Sequence, residues 1–309
     1  MISKNPKKVL VIGSFMMDHV VQTSRIPEDG ETVIGTSFAR FPGGKGANQA
    51  VAAARLGADV TMVGKVGDDN YGDEFLSILN AENINTANIL RDKHHPTGVG
   101  SVTLDKQGNN RIIVIPGANL NYLPEELEQV KDIIVEAGVV VLQLEMDITT
   151  VEKAAEMAYD LSVPVILNPA PAQKLNDKLY SKVTYLTPNE TEAEFLSGIP
   201  VNDISSAKKA AEVLLNKGVK NVILTLGDNG ALIANQQGLS HISGFSVKPV
   251  DTVGAGDSFN GALAFGIVHG MELPESVRLA NAVGALTVTK KGAIPSLPYY
   301  QDVLPYLEK

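Results

Sequence analysis

Val139-Val140-Val141-Leu142-Gln143-Leu144, the amphipathic stretch Thr150–Leu161 and Val163-Pro164-Val165-Ile166-Leu167 follow one another as strand, helix and strand. The two outer runs are apolar but for Gln143 and rich in β-branched residues, the pattern of strands buried on both faces. Parallel neighbours in a sheet need a crossover between them, and the middle stretch supplies it. The same rhythm extends outward. Val9–Gly13, Val60–Val66, Val183–Leu186 and Val222–Leu226 read as further strands, and Ala47–Leu56, Tyr71–Ala81, Pro124–Glu136, Glu190–Leu196 and Ser206–Asn216 as further helices. The fold class is therefore α/β, with a central, mostly parallel sheet covered by helices on both faces.

Two stretches break the rhythm, Val20–Arg40 and Thr97–Ile115. In the second, Val99-Gly100-Ser101-Val102-Thr103-Leu104 and Arg111–Ile115 flank Asp105-Lys106-Gln107-Gly108-Asn109-Asn110, which reads as a hairpin turn. Together they predict a small β-sheet outside the main one, a lid built from insertions at about 19–41 and 97–116. A sheet of few strands with one apolar face needs a cover. A second copy can provide it, so a homodimer through the lid is expected. Near the C-terminus, Ala231–Ala234 and His241–Val250 read as antiparallel strands, and Gly256–His269 and Pro274–Thr289 as long helices.

The 309 residues are 44% hydrophobic and 20% charged, which suits a large packed core rather than a disordered chain. No apolar run reaches the ~18 residues of a membrane span. Lys7-Lys8 and the apolar run to Met17 lead into Asp18-His19 without a small-residue cleavage site, so no signal peptide is expected. The formal net charge of −9 comes without a basic patch, which argues against nucleic acid and anionic lipid as partners. There is no cysteine, so disulfides, thiolate metal sites and cysteine nucleophiles are excluded. A cytoplasmic location is expected.

Chemistry concentrates in Asp251-Thr252-Val253-Gly254-Ala255-Gly256-Asp257-Ser258-Phe259-Asn260-Gly261, which follows a strand and opens a helix. Gly254 and Gly256 admit a ligand close to backbone N–H groups at the positive end of a helix dipole. A carboxylate at Asp257 would repel a bound phosphate. It makes sense as a base that takes a proton from a hydroxyl attacking the phosphate, while the amides stabilise the transferring group. The plainer alternative is a first-turn Asp that complements the dipole. A Rossmann loop is excluded, because the glycine after Gly256 is Gly261 and the segment lies late in the chain.

Pro42-Gly43-Gly44-Lys45-Gly46-Ala47-Asn48-Gln49-Ala50 is no Walker loop, since Gly46 stands where the magnesium-binding hydroxyl belongs. Its glycines suit close contact with a small polyol, with Lys45 and Asn48 as donors; the alternative is a turn that simply needs glycines.

Gly43-Gly44-Lys45-Gly46-Ala47-Asn48, Asn168-Pro169-Ala170-Pro171, Pro188-Asn189-Glu190-Thr191-Glu192-Ala193-Glu194 and Asp251–Gly261, in this order, resemble the ribokinase family of sugar kinases from about Lys8 to Pro298. The resemblance implies one ribokinase-like three-layer α/β domain over 1–309 and ATP-dependent phosphorylation of a pentose 5-hydroxyl. Asp257 would be the base, and Gly254, Ala255 and Gly256 the anion hole. Asp18, Gly43, Gly44, Lys45, Asn48 and Glu145 would hold the sugar. Asn189 and Glu192 would lie near the phosphates and Mg²⁺, with Glu192 acting through water. Thr225, Gly227, Gly256 and Asn281 would line the nucleotide site. A K⁺ site is also implied, from the Asp251 carboxylate and the carbonyls of Val253, Thr287, Lys290 and Gly292, with Ser296 close by. Such oxygens suit a hard cation.

One position departs from the family pattern. Where ribokinases carry G-S-x-N-x-D, this chain reads Gly13-Ser14-Phe15-Met16-Met17-Asp18. Met16 replaces an Asn that faces ribose hydroxyls, and offers only a weak sulfur acceptor and an adaptable apolar surface. The sugar that loses nothing there is 2-deoxyribose, so a deoxyribokinase is expected, with ordinary ribokinase activity as the alternative. A reading of another class is a catalytically silent sugar- or nucleotide-binding regulator. Among residues set aside, His19 reads as a structural histidine, His94-His95 as an exposed loop, and Ser205-Ser206-Ala207-Lys208 as a helix start capped by serine.

Overall fold

A computed structural model describes residues 6–107 and 109–308. Met1–Asn5, Gly108 of the expected hairpin turn and Lys309 lie outside the described residues. The strands are β1 (Lys8–Ile12), β2 (Met16–Thr23), β3 (Gly35–Gly43), β4 (Val60–Gly67), β5 (Asn85–Asp92), β6 (Gly98–Leu104), β7 (Asn110–Ile115), β8 (Ala137–Leu142), β9 (Val165–Leu167), β10 (Tyr185–Leu186), β11 (Asn221–Thr225), β12 (Ala231–Asn235) and β13 (Gly238–Ile242). The helices are α1 (Lys45–Arg55), α2 (Asn70–Ala81), α3 (Lys131–Glu136), α4 (Ile148–Asp160), α5 (Asp177–Tyr180), α6 (Glu190–Ser197), α7 (Ile204–Asn216), α8 (Ala255–Val268), α9 (Leu273–Thr287) and α10 (Tyr300–Leu307).

The main sheet runs β13-β12-β11-β10-β9-β8-β1-β4-β5. It is parallel from β11 through β5 and antiparallel only at the β11–β12 and β12–β13 pairs. Alternation along β1 shows why helices cover both faces. Val9 and Val11 join one apolar cluster with α1, α8 and α9, while Leu10 and Ile12 join another with α4 and α7. Successive strand residues point to opposite faces, so continuous apolar strands demand two helical layers. No helix of the described residues is long and apolar enough to cross a membrane.

The second sheet, β3-β2-β6-β7, is the expected lid, with β2 and β6 parallel and both outer pairs antiparallel. All of β7 is exposed, including Ile112, Ile113, Val114 and Ile115. Lid and main body meet where the Tyr71 hydroxyl on α2 pairs with His19 Nε2 on β2 at 2.8 Å, beside Phe38. His19 is therefore a satisfied contact, as read from the sequence.

Several boundaries differ from the sequence reading. The strand expected over His241–Val250 is Gly238–Ile242, because beyond Ile242 the chain leaves β12 and the Asn281 amide takes up the carbonyls of Ile242 and Ser243 at 3.1 Å each. Pro124–Glu136 opens as a 3-10 segment, Pro124–Val130, before α3. The sequence gives no sign of β5; as an edge strand it exposes Asn85, Ala87 and Arg91 and offers only the pair Ile89-Leu90 as an apolar signal. The cap of α7 is Asp203, whose carboxylate accepts the Ser206 N–H at 2.7 Å, rather than a serine.

Candidate active site

The parallel strands of the main sheet end on one edge, and the site grows from that edge, where open α/β sheets present their loops. Gly13 and Ser14 follow β1, Gln143 and Glu145 follow β8, Asn168 follows β9, Thr187 follows β10, and Thr225 ends β11. Helices α1, α6 and α8 begin against this edge. A cavity of about 200 Å³ opens there, lined by Lys45, Asn168, Ala170, Thr187, Asn189, Glu192, Thr225, Thr252, Gly254, Gly256, Asp257 and Asn260. Seven of these were anticipated: Lys45, Asn189, Glu192, Thr225, Gly254, Gly256 and Asp257.

Asp257 sits in the first turn of α8, buried, with its carboxylate held on both sides. Oδ2 accepts the Asn48 Nδ2 hydrogen at 2.8 Å and Oδ1 accepts from Gln49 Nε2 at 3.2 Å. Both donors come from α1, so two helices that begin at the same edge fix one carboxylate. Gly254 caps α8 at φ 81°, in the left-handed region where a glycine is free of strain. At Gly256 a side chain would meet nothing within 4 Å, so its absence leaves room over the first-turn N–H groups.

The start of α1 is crowded. A Cβ at Gly44 would lie 2.6 Å from the Met16 nitrogen, and one at Gly46 would overlap the Ser14 backbone. Chain-to-chain packing therefore requires both glycines, whatever ligand the turn also meets. The Glu145 carboxylate anchors the same corner, accepting from Ser14 Oγ at 2.5 Å and from the Lys45 N–H at 2.9 Å. Asp18 lies in a slot between glycines: a Cβ on Gly100 would overlap its Oδ1, and one on Gly43 would stand 3.2 Å from Oδ2. Asn48 Oδ1 is buried without a partner, 3.9 Å from that same Gly43 position. The slot therefore presents free acceptors, which suits a ligand rich in hydroxyl donors.

Charge is uneven here. Burial and the nearby Glu145 push Asp18 up from 3.8 to about 6, against the pull of Lys45. Burial pushes the Lys45 ammonium down, but Asp257, Glu145, Glu192 and Asp18 outweigh it and hold Lys45 above its ordinary value. Burial raises Glu192, opposed by its bond to the Asn189 N–H and by Lys45. Asn189 and Glu192 form a capping box at the head of α6: each backbone N–H bonds the other's side chain, at 2.9 and 2.8 Å. Among the described residues no three His, Asp or Glu side chains cluster to hold a metal. Glu192 and Asp257 are the two carboxylates lining the cavity, which suits an ion that arrives with its own phosphate oxygens.

The loops implied for the monovalent cation do meet. Asp251 accepts from the Val253 N–H at 3.1 Å and from the Gly292 N–H at 2.9 Å. Thr287 and Ala293 flank Gly254, and Ser296 is buried beside Ala293. The Thr287 carbonyl accepts the Lys290 N–H at 3.3 Å. Carboxylate and carbonyl oxygens keep further lone pairs, so the set fits a hard cation. Gly227 stands at φ 55° with open space where a side chain would be. Asn281, expected in the nucleotide site, uses its amide hydrogens on Ile242 and Ser243 and so shapes that loop.

Gln49, in the first turns of α1, and Gln143, just past β8, give no sign in the sequence because a lone glutamine carries no spacing signal. Asn168 was noted within a motif but given no role.

The model of the pfkB family carbohydrate kinases matches residues 6–299. The ribokinase of Haemophilus influenzae is 39% identical over 302 residues, which cover 98% of this chain and 99% of that one. The deoxyribokinase of Salmonella typhimurium is 37% identical over 300 residues, covering 97% and 98%. The structure of Arabidopsis thaliana ribokinase complexed with ribose and ATP aligns with a TM-score of 0.94 at 32% identity, over 99% of this chain and 100% of that one.

Proposed function

Because the chain belongs to the pfkB family of carbohydrate kinases and is a phosphotransferase, we propose that it transfers the γ-phosphoryl group of ATP to the 5-hydroxyl of a pentose, with 2-deoxy-D-ribose favoured and D-ribose as second substrate. The observation that carries the chemistry is the Asp257 carboxylate, held by Asn48 and Gln49 at the head of α8 within the cavity. Asp257 takes the proton as the sugar oxygen bonds to the γ-phosphorus and the bridging bond to ADP breaks. The amides of Gly254, Ala255 and Gly256 hold the charge on the transferring group, and Lys45 adds a cation facing it. Glu192 would hold Mg²⁺ through water, and that ion supplies neutralisation of the phosphates. Asp251 and the carbonyls of Val253, Thr287, Lys290 and Gly292 would hold K⁺, ordering the loop before α8. Asn189, Thr225 and Gly227 would border the nucleotide.

Preference for the deoxy sugar rests on Met16. It is buried, belongs to neither apolar cluster, and shares its face of β2 with Asp18 two residues on. Asp18, Gly43, Gly44, Lys45, Asn48 and Glu145 make the rest of the sugar slot. An apolar contact rejects an added hydroxyl by only ~10²-fold, so ribose remains a substrate. Relatives named ribokinase and deoxyribokinase stand at comparable identity, which leaves the choice to Met16. The test is a panel of 2-deoxyribose, ribose, adenosine and fructose with ATP, with and without K⁺, on the parent and on Met16→Asn. The exchange should shift kcat/KM toward ribose by ~10-fold or more; an unaltered ratio refutes the role of Met16. No ADP release with any sugar would favour the regulator instead.

The exposed lid residues Phe38, Ile113 and Ile115 support a homodimer through the lid, and the lack of cysteine fits a cytoplasmic enzyme.

A further inference from the structure

Behind the cavity lies a chain of buried amides that the reaction as described does not use. Gln49 and Gln143 are 0% and 1% exposed, and neither lines the cavity. Gln49 Nε2 donates to Asp257 Oδ1 and to Asn168 Oδ1, both at 3.2 Å. Both of its amide hydrogens are thereby committed, and its Oε1 turns away to accept from Gln143 Nε2 at 2.7 Å. Were Gln49 to flip, its oxygen would face the Asp257 carboxylate and its NH₂ would face that of Gln143. The donor on Gln143 therefore works with the acceptors on Asp257 and Asn168 to hold the amide nitrogen of Gln49 toward Asp257.

Gln143 performs this at a cost to the fold. Its Oε1 is buried without a partner, pressed where a side chain on Gly13 would be. Stability alone would favour an apolar residue of that volume, since it would remove the orphaned acceptor. Gly13 and Gly46 leave the space that the amide occupies, because a Cβ on Gly13 would overlap Oε1 and lie 2.7 Å from the Gly46 Cα.

We infer that Gln143 is a positioning residue for Asp257, acting through Gln49 to hold the carboxylate at one fixed angle to the attacking hydroxyl. This rests on Asp257 being the base. With Asn48 on Oδ2 and Gln49 on Oδ1, the carboxylate is held from both sides at the cavity wall. Without Gln143 the Gln49 amide loses the donor that holds its Oε1, so the Nε2 bond to Asp257 Oδ1 loosens while Asn48 keeps Oδ2.

The test is steady-state kinetics on Gln143→Met, Gln49→Met and the double variant, with ATP and whichever of 2-deoxyribose and ribose is the better substrate. Gln143→Met should lower kcat by ~10- to ~10²-fold, the scale of a misaligned reacting group. The KM values for sugar and ATP should stay within about 2-fold, because the groups that bind them are untouched. In the Gln49→Met background the same exchange should lower kcat no further, since its only route to Asp257 is gone. An unchanged kcat in folded Gln143→Met, a rise in KM that accounts for the loss, or losses that multiply in the double variant would each overturn the inference. If Gln143→Met does not fold, Gln143→Leu decides by the same criteria. Asp257→Asn separates the two levels: if it turns over normally the base itself is misassigned, whereas an inactive Asp257→Asn beside a normal Gln143→Met removes only the relay.

Discussion

Replacing Asp18 by Asn should make the ligand-free protein more stable at pH 8 while weakening its hold on sugar. The half-buried Asp18 carboxyl is pushed from 3.8 to about 6 by burial and by Glu145. At about 1.4 kcal/mol per pH unit, that rise corresponds to about 3 kcal/mol of strain on the ionised form. Water reaches part of the side chain and screens it, so about 1–2 kcal/mol should appear in the stability difference. The sign follows from the raised value. Above pH 6 the folded protein carries a charge that the unfolded chain solvates freely. As pH falls through about 6 toward 3.8 the folded form takes up a proton, the unfolded chain does not, and the penalty fades. Thermal unfolding of parent and Asp18→Asn without ligand, at pH 8 and pH 5, reads this directly. The variant should melt ~2–4 °C higher at pH 8, and roughly half of that advantage should be gone at pH 5. In the parent, the KM for sugar should rise below pH 6 as the acceptor is protonated. A variant that melts lower at pH 8, or whose advantage is the same at both pH values, would refute the reasoning.

Asp257→Asn should lower kcat by ~10²–10⁴-fold with little change in sugar binding, measured by ADP release and by calorimetric titration of sugar; near-normal turnover would remove Asp257 from the role. Gly100→Ala places a methyl on Asp18 Oδ1, so the carboxylate must swing aside and the KM for sugar should rise ~10-fold or more, in line with a displaced binding group, while the KM for ATP stays. If two copies pair through the lid as proposed, Ile113→Lys on the exposed β7 should turn a dimer into a monomer in sedimentation at micromolar concentration; a monomeric parent, or an unaltered sedimentation coefficient, would refute pairing through β7.

The layered α/β architecture is legible in the apolar pattern alone, because continuous apolar runs such as Val139–Leu142 can be buried only between two helical layers. The sequence also marked the lid, where the alternation changes period, and the head of α8, where small residues and an acid share one turn. Edge strand β5 was hidden because an edge needs no apolar signature, and the end of β13 because a side chain from α9 ends it. The surroundings of each polar group in the site arise only once distant segments pack together. Asn48 and Gln49 are more than two hundred positions from Asp257, yet bond it from the facing helix. The slot around Asp18 exists because Gly43 and Gly100, on two other strands, lack side chains there. The raised Asp18 and the amide chain through Gln143 are likewise properties of enclosure. Periodicity is a local record of which face is buried, whereas burial of a charge and the partner of a polar atom depend on chain segments that meet only when the sheet closes.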